Sequence, residues 1–387
     1  MKKATKIVAL LLAIAMTTFA LASCGESNNT GDAATLKIGC SGPLTGGAAQ
    51  YGNSVKNGVE LAVKEINEAG GVNGIKLEVL FEDDEHDAQK AKNAYNVVKD
   101  KGAKVFLGTV TSIPCAAVCA ETKKDNMFQI TPSGSSVDCI DAPNAFRVCF
   151  SDPNQGTASA QYLADNKLAT KVAVIYNSGD PYSSGIFNTF KAEAAKKNLP
   201  IVSEQTFTDA NNTDFSTQLQ KIKESGADLV FLPIYYEQAA MILQQASKAS
   251  LNVKYFGCDG LDGVINQLGG DAKLADGVML LTPFAADAKD EKTQKFTASY
   301  KAAYNDAIPD QFAADGYDAV YVIKAAMEKA GVKDASISVS DLCEAIKGAM
   351  TQITVDGVTG SMTWTAEGEP SKTPKAMVIQ NGGYKAM

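Results

Sequence analysis

Residues 36–81 read LKIGCSGPLTGGAAQYGNSVKNGVELAVKEINEAGGVNGIKLEVLF. Two β-rich runs, Leu36 to Cys40 and Lys76 to Phe81, flank a stretch from Gly52 to Ala69 in which Val55, Val59, Leu61, Ala62 and Ile66 recur at the helical period. Strand, amphipathic helix, strand is the unit of a parallel sheet, because a parallel partner needs a crossover long enough to hold a helix. The unit then repeats. A helix over Ala88 to Lys101 leads to strand candidates Val105 to Leu107 and Met127 to Ile130. A second series starts afresh with strand Val172 to Tyr176, helix Tyr182 to Lys197, strand Ile201 to Phe207 and helix Asp214 to Ser225. It continues with strand Leu229 to Leu232, helix Glu237 to Ser250 and strand Tyr255 to Phe256.

Between the two series, Ser151-Asp152-Pro153-Asn154-Gln155-Gly156 interrupts both periodicities, and the chain is expected to change lobe there. A second break, Thr282-Pro283-Phe284, precedes two helices, Lys289 to Tyr304 and Gln311 to Gly331, with no strand between them to extend the second sheet. Those helices fit back on the first lobe. Short strands follow in Ile353 to Thr363 and Ala376 to Ile379, with Gly357 and Gly360 at a third crossing. The expected fold class is therefore α/β, two Rossmann-like lobes joined by a three-crossover hinge. Residues 35–152 and 284–358 are assigned to lobe 1, and residues 153–283 and 359–387 to lobe 2. Three parallel connections restrict such lobes to opening and closing.

The N-terminus carries an address. Lys2, Lys3 and Lys6 precede an apolar run from Val8 to Ala22 that ends in Leu21-Ala22-Ser23-Cys24. A charged start, a short apolar run and a small-residue end make a secretory signal, and Leu-Ala-Ser-Cys resembles the box cut before a diacylated cysteine in bacterial lipoproteins. Residues 1–23 are read as the signal peptide, Cys24 as the lipidated mature N-terminus, and residues 24–34 as a linker without large apolar side chains. Two acyl chains, at roughly 0.8 kcal/mol per buried methylene, would hold the mature chain on the extracytoplasmic face of the cell membrane.

Removing that signal takes the formal net charge from −8 to −11, since its three lysines leave with no acid. Arg147 is the one arginine in the chain, so no basic track exists for a nucleic-acid partner. About 350 residues exceed what one core usually serves, in keeping with two lobes. Beyond Cys24 there are seven cysteines, an odd number that leaves at least one thiol free. Cys139 and Cys149 bracket a loop they could close, whereas Cys115 and Cys119, four apart on a helical stretch, would strain a disulfide. Zinc needs a second ligand pair that is missing, and His86 is the only histidine. The acidic run Glu82-Asp83-Asp84-Glu85-His86-Asp87 looks like a metal cluster, yet adjacent carboxylates at a strand end point in different directions.

Several stretches, in their order and spacing, resemble the branched-chain amino-acid binding proteins of ABC importers, which have the type I periplasmic-binding fold. They are Ser41-Gly42-Pro43-Leu44-Thr45-Gly46, Gln50-Tyr51-Gly52, Ala62 to Gly74, Thr131-Pro132-Ser133, Asp180-Pro181-Tyr182 and Thr213-Asp214-Phe215. The resemblance covers essentially the whole mature chain. It implies a ligand held in the cleft between the lobes, at the strand C-terminal ends, and closure that a permease recognises.

A free amino acid presents a carboxylate, an ammonium and a side chain. Ser112 follows strand Val105 to Leu107 where Pro114 marks a first helical turn, so its hydroxyl and nearby amides suit a carboxylate. Ser133 and Ser135 lie in the turn where the family clamps its ligand, Ser133 through its backbone and Ser135 through its hydroxyl. Taken alone, Ser112 and Ser135 read as helix caps, and it is the resemblance that makes them ligand residues. Asp259, after a second-lobe strand, matches the family's acidic partner for the ammonium, although many members carry the longer Glu; before Gly260 it also reads as a solvated turn residue. Tyr51, Tyr182 and Tyr235 match the family's apolar walls and lids, Tyr236 taking over from Tyr235 if the register slips by one. Phe312 is placed at the side-chain pocket or in the core. Some relatives join a cysteine near position 86 to the Ser112 loop by a disulfide; here His86 and Thr111 occupy the two places. Arg147 reads as a structural ion-pair residue near the hinge.

The function implied is a lipid-anchored solute receptor that hands an amino acid, branched-chain or otherwise aliphatic, to ABC permease and ATPase subunits. It calls for no cofactor and no metal, and the chain is expected to be a monomer. An extracellular enzyme is the competing class, opposed by the single histidine and the missing nucleophile elbow. A sensor of the same fold for another small solute, such as an amide or aromatic acid, is the third.

Overall fold

In a computed structural model of the protein, which describes residues 34–387, strand β1 (Thr35–Gly42) is the axis of the first sheet. Helix α1 (Ala49–Glu68) carries the chain across to β2 (Lys76–Asp83), α2 (Ala88–Asp100) to β3 (Val105–Gly108), and α3 (Ser112–Asp125) to β4 (Gln129–Thr131). With β5 (Ala145–Arg147) the order is β2-β1-β3-β4-β5, every pair parallel. Strands β3, β4 and β5 are buried throughout, as strands covered on both faces must be.

The chain then enters α4 (Asp152–Asp165) and builds the second sheet: β6 (Val172–Asn177), α5 (Pro181–Lys196), β7 (Ile201–Phe207), α6 (Ser216–Ser225), β8 (Leu229–Leu232), α7 (Tyr236–Lys248), β9 (Lys254–Gly257), α8 (Val264–Leu268) and β10 (Met279–Thr282). Helices α9 (Glu291–Ala303), α10 (Gln311–Lys329) and α11 (Val339–Met350) return to the first sheet. A small pair follows, β11 (Val355–Gly357) with β12 (Gly360–Met362), and the hairpin of β13 (Lys375–Gln380) and β14 (Gly383–Ala386) closes the second sheet in the order β14-β13-β10-β9-β8-β6-β7. The architecture is α/β with two lobes, as the periodicity implied. Among the described residues no helix is long and apolar enough to cross a membrane. The signal peptide, Cys24 and linker residues 24–33 lie outside the described residues.

Two features differ from the sequence reading. The stretch Ser151 to Gly156, taken as a break, is the start of α4: Pro153 sits in the first turn, where its missing N–H costs nothing. Gly156 is there for close packing, since a Cβ would come within 2.3 Å of Ile186 O on α5. The third crossing also lies later than residue 358. Asp318 of α10 accepts from the amides of Val358 and Thr359, Trp364 Nε1 donates to Arg147 O, and Arg147 N donates to Gly368 O, so residues 359–368 pack with the first sheet. Gly357 and Gly360 form the β11–β12 turn and are not the hinge.

Helix α10 seats on α1 without intervening side chains: a Cβ at Gly58 would lie 1.9 Å from Ala313 O. The described cysteines are all buried and free, Cys139 and Cys149 included. The acidic run is used in turns: Asp83 accepts from Leu44 N and Thr45 Oγ1, Asp84 from Ser41 Oγ, and Asp87 caps α2 through Gln89 N and Lys90 N.

The hinge holds a buried ion pair. Lys372, on the third crossing, reaches Asp315 Oδ1 of α10 at 3.0 Å and donates to Val148 O of the first crossing at 2.8 Å, with both charged side chains at most 3% exposed. Removing one partner strands a buried charge, a loss of about 3–5 kcal/mol. Lys372→Met should therefore lower the urea midpoint strongly, and adding Asp315→Leu should restore most of the loss; an unchanged midpoint in the single variant would show that the pair carries no stability.

Candidate functional site

The eight residues singled out from the sequence line one small, narrow cavity between the lobes: Tyr51, Ser112, Ser133, Ser135 and Phe312 come from the first lobe, and Tyr182, Tyr235 and Asp259 from the second. Each stands at the C-terminal end of a strand or the start of a helix, the place where an open α/β sheet offers free backbone groups. Val110, Thr111 and Gly260 complete the wall.

On the first-lobe side two turns face each other. Ser112 opens α3, and its Oγ accepts from Ser136 N at 3.2 Å, which leaves its hydroxyl proton to donate. The first-turn amides of α3 have no helical acceptor and add the positive end of the helix. Ser133 Oγ donates to Val110 O at 2.7 Å, so only its backbone is left for another partner. Thr131 Oγ1 donates to Thr109 O and accepts from Gly134 N, locking the second turn to the first. Ser135 Oγ is 1% exposed as a residue and has no protein partner.

The second lobe supplies the charge. Asp259 Oδ1 accepts from Tyr182 OH at 2.8 Å, and its amide donates to Gln155 Oε1 at 3.2 Å. Burial raises the Asp259 carboxyl to about 6, against the hydrogen bond from Tyr182 that favours its charged form. Asp180 caps α5 through Tyr182 N and is raised to about 7, again chiefly by burial.

Aromatic rings close the mouth. Tyr182 and Tyr235 stack at 4.8 Å, Tyr51 meets Tyr235 edge-on at 5.6 Å, and Phe312 lies 4.2 Å from Tyr51. Tyr236 is not the wall residue; as the first residue of α7 it accepts from Gln50 N through its hydroxyl. His86 and Thr111 touch, Nδ1 to Oγ1 at 2.7 Å, and the imidazole stands edge-on to Tyr235 at 5.7 Å. A hydrogen bond thus joins positions 86 and 111.

Sequence reasoning missed the residues that tie the lobes together behind the cavity. Gln311 donates from Nε2 to Asp259 O at 2.9 Å and from its backbone to Asp262 Oδ2 at 3.0 Å, and Gln155 supports Asp259 from α4. A glutamine at a helix start carries no signal of that kind. Arg147 donates to the carbonyls of Gly134, Ser135 and Ser136 and lies 3.4 Å from Glu369.

Two sheets facing each other across a cleft of convergent hydroxyls, aromatic walls and one buried carboxylate define a two-lobed solute-binding protein. The chain belongs to the periplasmic binding protein family, whose model matches residues 35–382. It is a solute-binding protein of the Leu/Ile/Val-binding type. It is 31% identical to Leu/Ile/Val-binding protein homolog 3 of Brucella melitensis, over 87% of this chain and 89% of that one. To a leucine-, isoleucine-, valine-, threonine- and alanine-binding protein of Pseudomonas aeruginosa it is 28% identical, over 95% and 94% of the two chains. Among solved structures, the branched-chain amino acid transporter substrate-binding protein of Streptococcus pneumoniae, in complex with isoleucine, matches with a TM-score of 0.82 and 27% identity, covering 91% of this chain and 98% of that one. A benzoate complex from R. palustris shares the fold at 23% identity with a TM-score of 0.81.

Tyr51 is the main bolt between lobes: its hydroxyl donates to Gly260 O at 2.5 Å and accepts from Tyr236 N at 3.1 Å. Tyr51→Phe leaves both backbone groups without a partner, so the closed form should lose about 1–3 kcal/mol. Small-angle scattering of the ligand-free variant is expected to show a larger radius of gyration than the wild type; an equal radius would mean that Tyr51 does not hold closure.

Proposed function

We propose that the protein captures a free amino acid, branched-chain or otherwise aliphatic, in the cleft and delivers it to the permease of an ABC importer from the outer face of the cell membrane. The observation that carries this reading is the convergence of Ser112, Ser133 and Ser135 with Asp259 in one small cavity between the lobes. Donors at a helix N-terminus suit a carboxylate, a buried carboxylate on the opposite lobe suits an ammonium, and a ligand bridging them stabilises the closed form. The rings of Tyr51, Tyr182, Tyr235 and Phe312 line the same cavity and offer apolar contact to a side chain. The ligands named for the relatives from Pseudomonas aeruginosa and Streptococcus pneumoniae support the same class. Attachment through a diacylated Cys24 rests on the Leu-Ala-Ser-Cys box and places the receptor beside its permease.

A thermal-shift screen of the refolded protein against all amino acids, small amides and aromatic acids tests the class, because a ligand of the native state raises the melting temperature by mass action. Aliphatic L-amino acids should give the largest rise, and a rise with aromatic acids alone would overturn the amino-acid reading. Asp259→Ala should then weaken binding at least tenfold, about 1.4 kcal/mol, by titration calorimetry.

The raised Asp259 carboxyl also sets a pH dependence. Only the ionised form pairs with an ammonium, and with a value of about 6 that form dominates at pH 7 and is the minor one at pH 5. Affinity should be highest above the Asp259 value and fall about tenfold between pH 7 and pH 5. Calorimetry across that window checks it; a flat profile would remove Asp259 as the partner of the ammonium.

A further inference from the structure

Behind the cavity lie buried polar atoms without a protein partner: Ser135 Oγ, both carboxylate oxygens of Asp152, Gln155 Nε2 and Arg147 Nε. None of the four residues is more than 1% exposed. Asp152 does not line the cavity; Ser135 does, and stands between the two. Three of the residues meet around one carbonyl, because Ser135 O accepts from Arg147 Nη1 at 2.5 Å and from Asp152 N at 3.0 Å. Gln155 follows one turn later on α4, and its other end, Oε1, receives Asp259 N. Opposite Asp152 is Gly185, where a Cβ would stand 3.2 Å from Oδ2. Two lobes therefore contribute to this group, Arg147 and Ser135 from one, Asp152 and Gln155 from the other.

Chemistry narrows what joins them. Asp152 and Ser135 offer acceptors, while Arg147 Nε–H and the Gln155 amide offer donors. A metal cation is refused by the donors and an anion by Asp152. Water both donates and accepts, and buried water typically makes about three such bonds. Burial pushes the Asp152 carboxyl well above the usual carboxylate range, while the Ser135 hydroxyl and the Arg147 charge favour its ionised form, so its retention here calls for a role.

We propose that Asp152 is a positioning residue of the ligand site: an internal water held by Arg147 Nε, Gln155 Nε2 and Asp152 keeps the carboxylate satisfied, and the carboxylate turns the Ser135 hydroxyl proton toward itself. The hydroxyl then presents only lone pairs to the cavity. It accepts from the ligand, and so adds a first-lobe acceptor for the ammonium opposite Asp259 of the second lobe. This rests on the amino-acid reading of the site and deepens it, making the protein selective for solutes with a protonated amine.

A double-mutant cycle tests the relay, with L-leucine titrated calorimetrically into the full chain, Asp152→Asn, Ser135→Ala and the double variant, and ligand-free melting temperatures as the control for folding. Each single change is expected to weaken binding about tenfold, and the double variant no more than the weaker single, since both remove one interaction. A double variant about a hundredfold weaker, or Asp152→Asn at full affinity, overturns the proposal. If neither leucine nor any other amino acid binds the wild type, the amino-acid reading itself falls, and the inference with it. A crystal structure of the wild type at atomic resolution decides the water independently of any variant: density within hydrogen-bond distance of Asp152 and Gln155 Nε2 supports it, and a direct Asp152–Arg147 bond or a metal ion in its place overturns it.

Discussion

A guanidinium taken out of water must have its donors met, and the burial of Arg147 organises much of what surrounds it. The side chain is wholly buried at the end of β5 and donates to three successive carbonyls, Gly134, Ser135 and Ser136. Those carbonyls belong to the turn that presents Ser133 and Ser135 to the cavity. Its backbone is bound as well, the amide to Gly368 O and the carbonyl to Trp364 Nε1, and Glu369 stands 3.4 Å from the guanidinium. One residue thus fixes the turn that lines the cavity, the end of the first sheet and the approach to the third crossing. A lysine would offer a point charge in place of a planar fork and could not serve three carbonyls in the same way.

The other half of the site depends on placing an acid in a dry cleft without letting it collapse. Asp259 is held by Tyr182 OH, by its own amide on Gln155 and by its carbonyl on Gln311 Nε2. Gln155 belongs to α4 and Gln311 to α10, so the acid is braced from both lobes. The Tyr182 hydroxyl also accepts from Gly260 N, and Gly260 O receives the Tyr51 hydroxyl. Closure and the ionisation of Asp259 are consequently one problem: bringing the lobes together removes water from the carboxylate, and what enters the cleft has to compensate.

Much of this was legible in the chain. The period-2 and period-3.6 patterns located most of the strands and helices, because each of these has one apolar face or is apolar throughout, while the short β5 and the final β14 escaped. Most of the stretches carrying the family resemblance fall at strand ends or helix starts, and all eight candidate site residues do line one cavity. What escaped was written in residues with two meanings. Pro153 and Gly156 looked like a break but serve a helix start and a helix contact, and Gly357 and Gly360 looked like a hinge but make a turn. Lys372 and Asp315, 57 positions apart, give no sign of pairing until the crossings bring them together.

By itself the sequence determined the α/β class, the two series of strands and helices, the acidic character of the chain and the residue types offered to a ligand. These follow from local periodicity and from side-chain chemistry, which a linear reading contains. Tertiary structure alone decided which polar groups are satisfied by protein and which are left for something else. It spent the Ser133 hydroxyl on Val110 O, joined His86 to Thr111, and left Ser135 Oγ and the Asp152 carboxylate without protein partners. The physical reason is that hydrogen bonding and desolvation act over a few ångströms in space, and residues hundreds of positions apart reach that range only once the crossovers have folded.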